Sequence, residues 1–224
     1  MSLAYVQSSS GFSSGSSFTI NIPGTTLGSL ILLMIVTAPD TGGPTISSIV
    51  DTFTNTYHLI DSNHDNASFG GKIYTYACYQ NAGSGGNNVT VNLSGASTFL
   101  LIGYEEITGQ DTTAPISAFG AYQYVSSGTS PSINPVTTTF LSQMVLGFGY
   151  QGSNSASTPG SGYTVRAGFA NSFFTEDQLF FGTGTFTPTA TNSSEKWFVG
   201  SLAIKPAGAV PPSSGAGTIV FVIT

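Results

Sequence analysis

Short runs of β-forming residues recur roughly every 10–15 residues along this chain, separated by clusters of Gly, Pro, Asn and Ser. No stretch places its apolar residues at helical spacing between capping residues. The clearest runs are Leu3–Gln7, Ser17–Ile22, Ser29–Thr37, Thr45–Val50, Thr56–Ile60, Lys72–Tyr79, Asn88–Leu93 and Thr98–Ile107. They continue with Ser117–Val125, Ser142–Tyr150, Tyr163–Phe169, Gln178–Thr187, Trp197–Ile204 and Thr218–Ile223. In Asn88–Leu93 the Val and Leu side chains alternate with Asn and Thr, so one face points inward and the other to solvent. Leu30–Val36 and Phe99–Ile102 are apolar on both faces and suit central strands covered on each side. About fourteen strands without helices predict an all-β fold, an antiparallel two-sheet β-sandwich that is jelly-roll-like, with a C-terminal extension strand.

Residues 1–205 read as the sandwich domain and 206–217 as a Pro/Gly/Ser linker. Residues 218–224 read as a terminal β-strand. That strand, Thr218, Ile219, Val220, Phe221, Val222 and Ile223 before Thr224, is uncharged and almost purely β-forming. Left unpaired it would aggregate, so it either folds back on its own sheet or crosses to a neighbouring subunit.

The surface of such a sandwich is constrained by charge. Lys+Arg number 4 and Asp+Glu 10, which is 6% of the residues and a net charge of −6. Globular proteins carry about 25%. A monomer of this size exposes roughly 9,600 Å², about one charge per 700 Å². Soluble proteins stay apart through dense mixed charge, so an exterior this bare suits glycosylation, fixation in an assembly, or contact with another neutral surface. Lys72, Arg166, Lys196 and Lys205 are scattered, which argues against a nucleic-acid partner. The longest apolar run, Leu30–Val36, is far short of a membrane span, and no signal peptide is legible at Met1–Tyr5. These features predict a virion-surface or extracellular protein, either processed or released by lysis.

Catalytic signatures are weak. Gly11-Phe12-Ser13-Ser14-Gly15 matches a nucleophile elbow, but that device needs a strand turning into a helix. His58 and His64 are the two histidines; a Ser-His-Asp triad is recognised in space rather than in order, and nothing in the sequence positively supports one. Asp61, Asn63 and Asp65, with Asn66, mimic the start of a calcium loop without its Gly or its distant Glu, and make weak metal candidates. Glu105 and Glu106 point to opposite faces of one strand, so they cannot flank a sugar together, and Glu176-Asp177 is the other acidic pair. A carboxylate in such a place commonly receives backbone N–H bonds from a loop or pairs with Arg166. Cys78, in an apolar run, reads as a buried inert thiol. The chain is expected not to be an enzyme and to need no cofactor.

Aromatic rings on a neutral sheet can stack on sugars. Tyr74 and Tyr76 share a face, as do Tyr122 and Tyr124, and these four are the glycan-binding candidates, with Tyr79 and Phe173-Phe174 as further rings. Sequons occur at Asn66, Asn88, Asn92 and Asn192.

Certain segments, in order, resemble a widespread group of Gly/Ser/Thr-rich β-sandwich domains of bacterial extracellular and tailed-phage structural proteins. They are Ser48-Ile49-Val50-Asp51 leading through Asn55 to Tyr57, Lys72–Tyr79, Gly83–Leu93, Leu100–Gly109, Thr158–Tyr163 and Trp197–Lys205. The resemblance implies a jelly-roll-like sandwich with binding, display or scaffolding roles and no active site to carry over. Together with the sparse charge and the terminal strand, it yields the expectation of a non-enzymatic, self-assembling surface or virion subunit. Such a protein could be a capsid decoration, a head/tail surface protein or an extracellular filament. Its partners would be copies of itself and other virion or surface proteins, with glycans as an alternative and no membrane insertion.

Overall fold

The computed structural model describes residues 2–38, 43–62, 71–131, 133–151, 157–169, 173–191 and 195–211. Among these the secondary structure is entirely β. The first sheet contains β1 (Ala4–Thr25), β2 (Leu30–Ala38), β3 (Ile46–Asp51), β4 (His58–Ser62), β5 (Lys72–Cys78) and β6 (Gly85–Thr108). Its order is β1-β6-β2-β5-β4, with β3 also pairing β6, and its pairs are antiparallel. The second sheet contains β7 (Ile116–Gly128), β9 (Ser142–Gln151), β11 (Thr164–Phe169), β12 (Phe173–Phe181) and β15 (Glu195–Ile204), ordered β11-β12-β9-β15-β7. Between them in sequence lie the short strands β8 (Val136–Thr138), β10 (Thr158–Pro159), β13 (Gly184–Phe186) and β14 (Ala190–Thr191). These pair as β13-β8 and β10-β14. The chain thus completes one sheet before starting the other.

The sandwich expected from the sequence is present, and the first sheet is longer than its strand runs suggested. Leu3–Gln7 and Ser17–Ile22 belong to one 22-residue strand, and Asn88–Leu93 and Thr98–Ile107 to one of 24. The Ser/Gly stretch between each pair of runs stays extended and bends. Gly15, at φ 117°, pairs with Ser97 between two register shifts, so bulges curve both strands at the same level. Beyond the bend the two strands fold back over the sheet. A Cβ on Gly11 would come within 2.9 Å of the Phe18 ring, seven residues along the same strand.

This fold-back creates two cores. Leu30, Leu32, Met34, Leu101 and Ile107 face the second sheet and meet Met144, Leu146, Phe148, Phe173 and Leu202. Ile31, Leu33, Ile35, Leu100 and Ile102 point the other way, onto Ile20, Ile22, Val89, Val91 and Leu93 of the folded-back half. The doubly apolar β2 follows directly, because a central strand covered on both faces must be apolar on both. Each such buried side chain contributes about 1.5–3 kcal/mol. The far side of the second sheet is covered around Trp197, Phe174, Val199 and Ile133, and around Val136, Val145 and Ala203.

Outside the folded-back half, polar side chains pair with one another. Thr19 bonds Thr90 (2.7 Å), Asn21 donates to Asn88 (2.8 Å), and Asn92 donates to Ser48 (3.0 Å). Residues expected to begin a linker are tied down: Pro206 bridges Gln110, and Ala207 N–H donates to Gly109 C=O. The rest of that segment from Pro212, and the strand Thr218–Thr224, lie outside the described residues.

Candidate functional site

Two constructions bring polar side chains together. The first is an open groove of about 410 Å³, lined by Thr54, Asn55, Thr56, His58, Tyr79, Gln80, Ala82, Thr112 and Thr113. One wall is a turn wound around the Asp51 carboxylate at the end of β3. Its Oδ1 accepts from the Phe53 and Asn55 N–H groups (3.1 and 2.9 Å). Its Oδ2 accepts from Asn55 Nδ2, the Tyr57 hydroxyl and Asn87 Nδ2 (2.6, 2.8 and 2.9 Å). Burial pushes the Asp51 carboxyl up, but the bonds from Asn87, Asn55 and Tyr57 outweigh it and hold the group below the ordinary value. Thr54, at the tip of the turn, has φ 56°, a costly conformation for a β-branched residue.

The next wall is fixed by Asn55 and Asn81. Asn55 Nδ2 also donates to Asn81 Oδ1 (2.8 Å), and Asn55 Oδ1 accepts from Ala82 N–H (2.7 Å). Buried Asn81 donates onward to the carbonyls of Thr26 and Gly83. The opposite wall is a second carboxylate-centred turn. Asp111 Oδ1 accepts from Thr113 and Ala114 N–H (2.8 and 2.9 Å), and Lys205 lies 3.3 Å from Oδ2. The Ala114 and Thr113 N–H groups hold that carboxyl below its usual range. Within the groove the His58 and Tyr79 rings stack, 4.4 Å between centroids and 22° apart.

The second construction closes one flank of the sandwich, where edge strands β1 and β11 meet. Arg166 is the extra residue of a bulge between Val165 and Ala167, which aims it toward the interior. Its Nε and Nη2 donate to the two Asp177 oxygens (2.5 and 3.1 Å), and its guanidinium lies 4.3 Å from the Tyr5 ring centroid. The Tyr5 hydroxyl bonds Ser8 Oγ, which donates to the Arg166 carbonyl (both 2.8 Å). Beside this pair sits Glu105, fully buried, with neither oxygen in a well-formed hydrogen bond among the described residues. Burial first, then the Asp177 charge, push its carboxyl up to about 8, against the smaller pull of the Thr175 hydroxyl and Arg166. Burial without a compensating bond thus favours the neutral form of Glu105.

Glu106 points away from Glu105, as the strand geometry requires, and is fully used. It accepts from Gln7 Nε2 and from the Thr26 N–H, both at 2.6 Å. Glu176 accepts from Gly160 N–H (2.9 Å) on the outer face of the second sheet, and burial pushes it up to about 7. Backbone N–H groups thus occupy Glu106 and Glu176, and Arg166 pairs with Asp177, whereas Glu105 has neither kind of partner. No groove described here reaches Glu105, Glu176 or Asp177.

Of the tyrosine candidates, Tyr74 and Tyr122 need correction as stacking platforms because both are buried, while Tyr76 and Tyr124 are half-buried. Tyr74 and Tyr76 do share a face, but it is the face covered by the folded-back half of the first sheet. Tyr74 is buried, and Tyr76 is half-buried beside Tyr57 and Ile49 in a second groove of about 210 Å³. Tyr122 is buried between the sheets with its hydroxyl 2.5 Å from Thr75 Oγ1, and Tyr124 packs on Phe198. Phe173 and Phe174 are core residues of opposite faces. Two candidate rings reach a groove, Tyr76 in the second and Tyr79, in company with His58, in the first.

Of the metal candidates, Asp61 is half-buried on β4, while Asn63 and Asp65, like His64 and Asn66, lie outside the described residues. Among the described residues no three His, Cys, Asp or Glu side chains converge on a metal position. Cys78 is buried, and burial pushes its thiol up to about 11. The Gly11–Gly15 motif lies inside β1, without the strand-to-helix turn an elbow needs. Among the described residues no helix is long and apolar enough to cross a membrane.

The groove's Asp51-Asn55-Tyr57 knot was visible only as three polar residues at fixed spacing, since nothing local says that one carboxylate receives all of them. Compared with protein families, with curated proteins and with solved structures, the chain matches none.

Proposed function

We propose that this protein is a non-enzymatic structural subunit that assembles with copies of itself on a virion or extracellular surface. The observation that carries the reading is where the charges sit. Lys72, Glu105, Glu106, Glu176 and Asp177 are buried, and Asp51, Asp61, Asp111, Arg166 and Lys205 are half-buried. Among the side chains the structure describes, Lys196 is the one charged group that is exposed. Large apolar side chains are exposed on the same surface, among them Phe181 at 85%, Leu27 at 68% and Leu141 at 58%. A free monomer with that exterior lacks the repulsion that keeps proteins apart, whereas contacts between copies would cover it.

Open strand edges support the same reading. Among the described residues β4 pairs only with β5 and β7 only with β15, while the opposite flank is sealed by Tyr5, Ser8 and Arg166. The heptad Thr218–Thr224 has the composition to add to such an edge on a neighbouring copy. Removing Thr218–Thr224 is expected to lower the oligomeric mass measured by light scattering. An oligomer of unchanged mass and stability would rule out strand exchange as its basis.

A further inference from the structure

The groove between the two carboxylate-centred turns begins at His58, the first residue of β4, and its chemistry is specific. We propose that it binds the neutral terminal sugar of a glycan, with His58 and Tyr79 as the ring platform and Gln80, Thr56, Thr112 and Thr113 as the polar contacts.

Rigidity comes first. Asp51 and Asp111 each gather backbone N–H groups from the turn that follows, so the groove's walls are set before any ligand arrives. Thr54 is held at positive φ by the same network, the kind of strain that persists where the surroundings fix a loop for use. Asn55 is spent on this scaffolding, its amide bonded to Asp51, Asn81 and Ala82.

The remaining lining is available. The side chains of Thr56, Gln80, Thr112 and Thr113 and the His58 imidazole make no hydrogen bond to the described residues, and His58 and Gln80 are exposed. Hydroxyl, amide and imidazole groups can both donate and accept, which matches the hydroxyls of a sugar. Tyr79 backs one face of the His58 ring, and the other face of that exposed ring is a flat surface for the C–H face of a pyranose. No charged side chain lines the groove, because both aspartates turn their oxygens into their own loops. Phosphate or carboxylate ligands would need a cation there. The volume falls within the range of small-molecule sites.

The test uses the full chain. Saturation-transfer NMR and titration calorimetry are run with glucose, galactose, mannose and N-acetylglucosamine and their β-linked disaccharides, alongside a sialylated and a sulfated glycan. At least one neutral sugar is expected to bind. His58→Ala and Gln80→Ala, both at exposed positions, are expected to weaken it by at least about tenfold. Tyr76→Ala in the other groove should change it by about twofold or less. Binding by none of the neutral sugars, binding only of the charged glycans, or affinity that survives both groove substitutions would overturn the proposal. Because oligomeric mass is read separately, failure here is distinguishable from failure of the assembly reading.

Discussion

A Glu105→Gln variant should unfold at nearly the same denaturant concentration as the wild-type chain at pH 5 and at a clearly higher one at pH 9. Glu105 is buried among Thr175 and Asp177 of β12 and Arg166 of β11, and its carboxyl is raised to about 8 against an ordinary value of 4.5. Below the ordinary value, native and unfolded chains both hold the proton and the full stability is present. Between the ordinary and raised values the unfolded chain releases the proton while the native chain keeps it, so stability falls as pH rises through that window. Integrated over the window, the loss is on the order of 5 kcal/mol. Glutamine cannot ionise, and its buried amide costs about as much as the neutral acid it replaces.

Glu176, raised to about 7, adds a similar fall that ends at lower pH, so the difference between pH 7.5 and 9 isolates Glu105. Urea unfolding of both chains at pH 5, 7.5 and 9 makes the comparison. Parallel curves across that range would show that Glu105 is ionised in the native state. Keeping a neutral acid there costs a few kcal/mol, less than two or three of the surrounding core side chains contribute.

The second large effect is expected at Gly103. This residue lies on β6 opposite Ser10 of β1 and Met34 of β2, on the face turned toward the second sheet. A Cβ built there would sit 2.2 Å from Cε1 of Phe173, itself only 1% exposed. The ring cannot swing into solvent, so Gly103→Ala must push the two layers apart or force Phe173 off its rotamer. That overpacking should cost about 3 kcal/mol, at the upper end for a single added methyl. Shortening the ring should relieve it: Gly103→Ala with Phe173→Leu should be less destabilised than the sum of the two single changes by about 1–2 kcal/mol. Denaturant unfolding of the four chains gives the cycle. A cost below about 1 kcal/mol for Gly103→Ala would mean the sheets do not approach so closely at this point.

Much of the architecture was legible in residue alternation. Val89, Val91 and Leu93 are buried as the Asn88–Leu93 pattern required, and Leu30–Val36 is the doubly covered strand its composition implied. The fold-back was not legible. Ser9–Ser16 has the composition of a turn, and only pairing with Gly103–Ser97 reveals it as a bulged continuation of β1. That one event decides the fate of the tyrosines: Tyr74 and Tyr76 do share a face, but the face is inside. Phe173–Asp177 was missed as strand because Glu176 and Asp177 interrupt its apolar run, and their burial depends on Gly160 and Arg166 brought in from elsewhere. For Glu105 and Glu106 the opposite orientation followed from strand geometry. Their environments could not, since one meets Asp177 across the sandwich and the other a turn at Thr26.

The most direct measurement is the mass of the purified full-length chain by light scattering, from micromolar to millimolar concentration at moderate salt. A self-limiting oligomer or an extended polymer, present throughout and insensitive to added salt because few charges lie at its contacts, is the result this account predicts. A chain that stays a freely soluble monomer up to the highest concentration would contradict it.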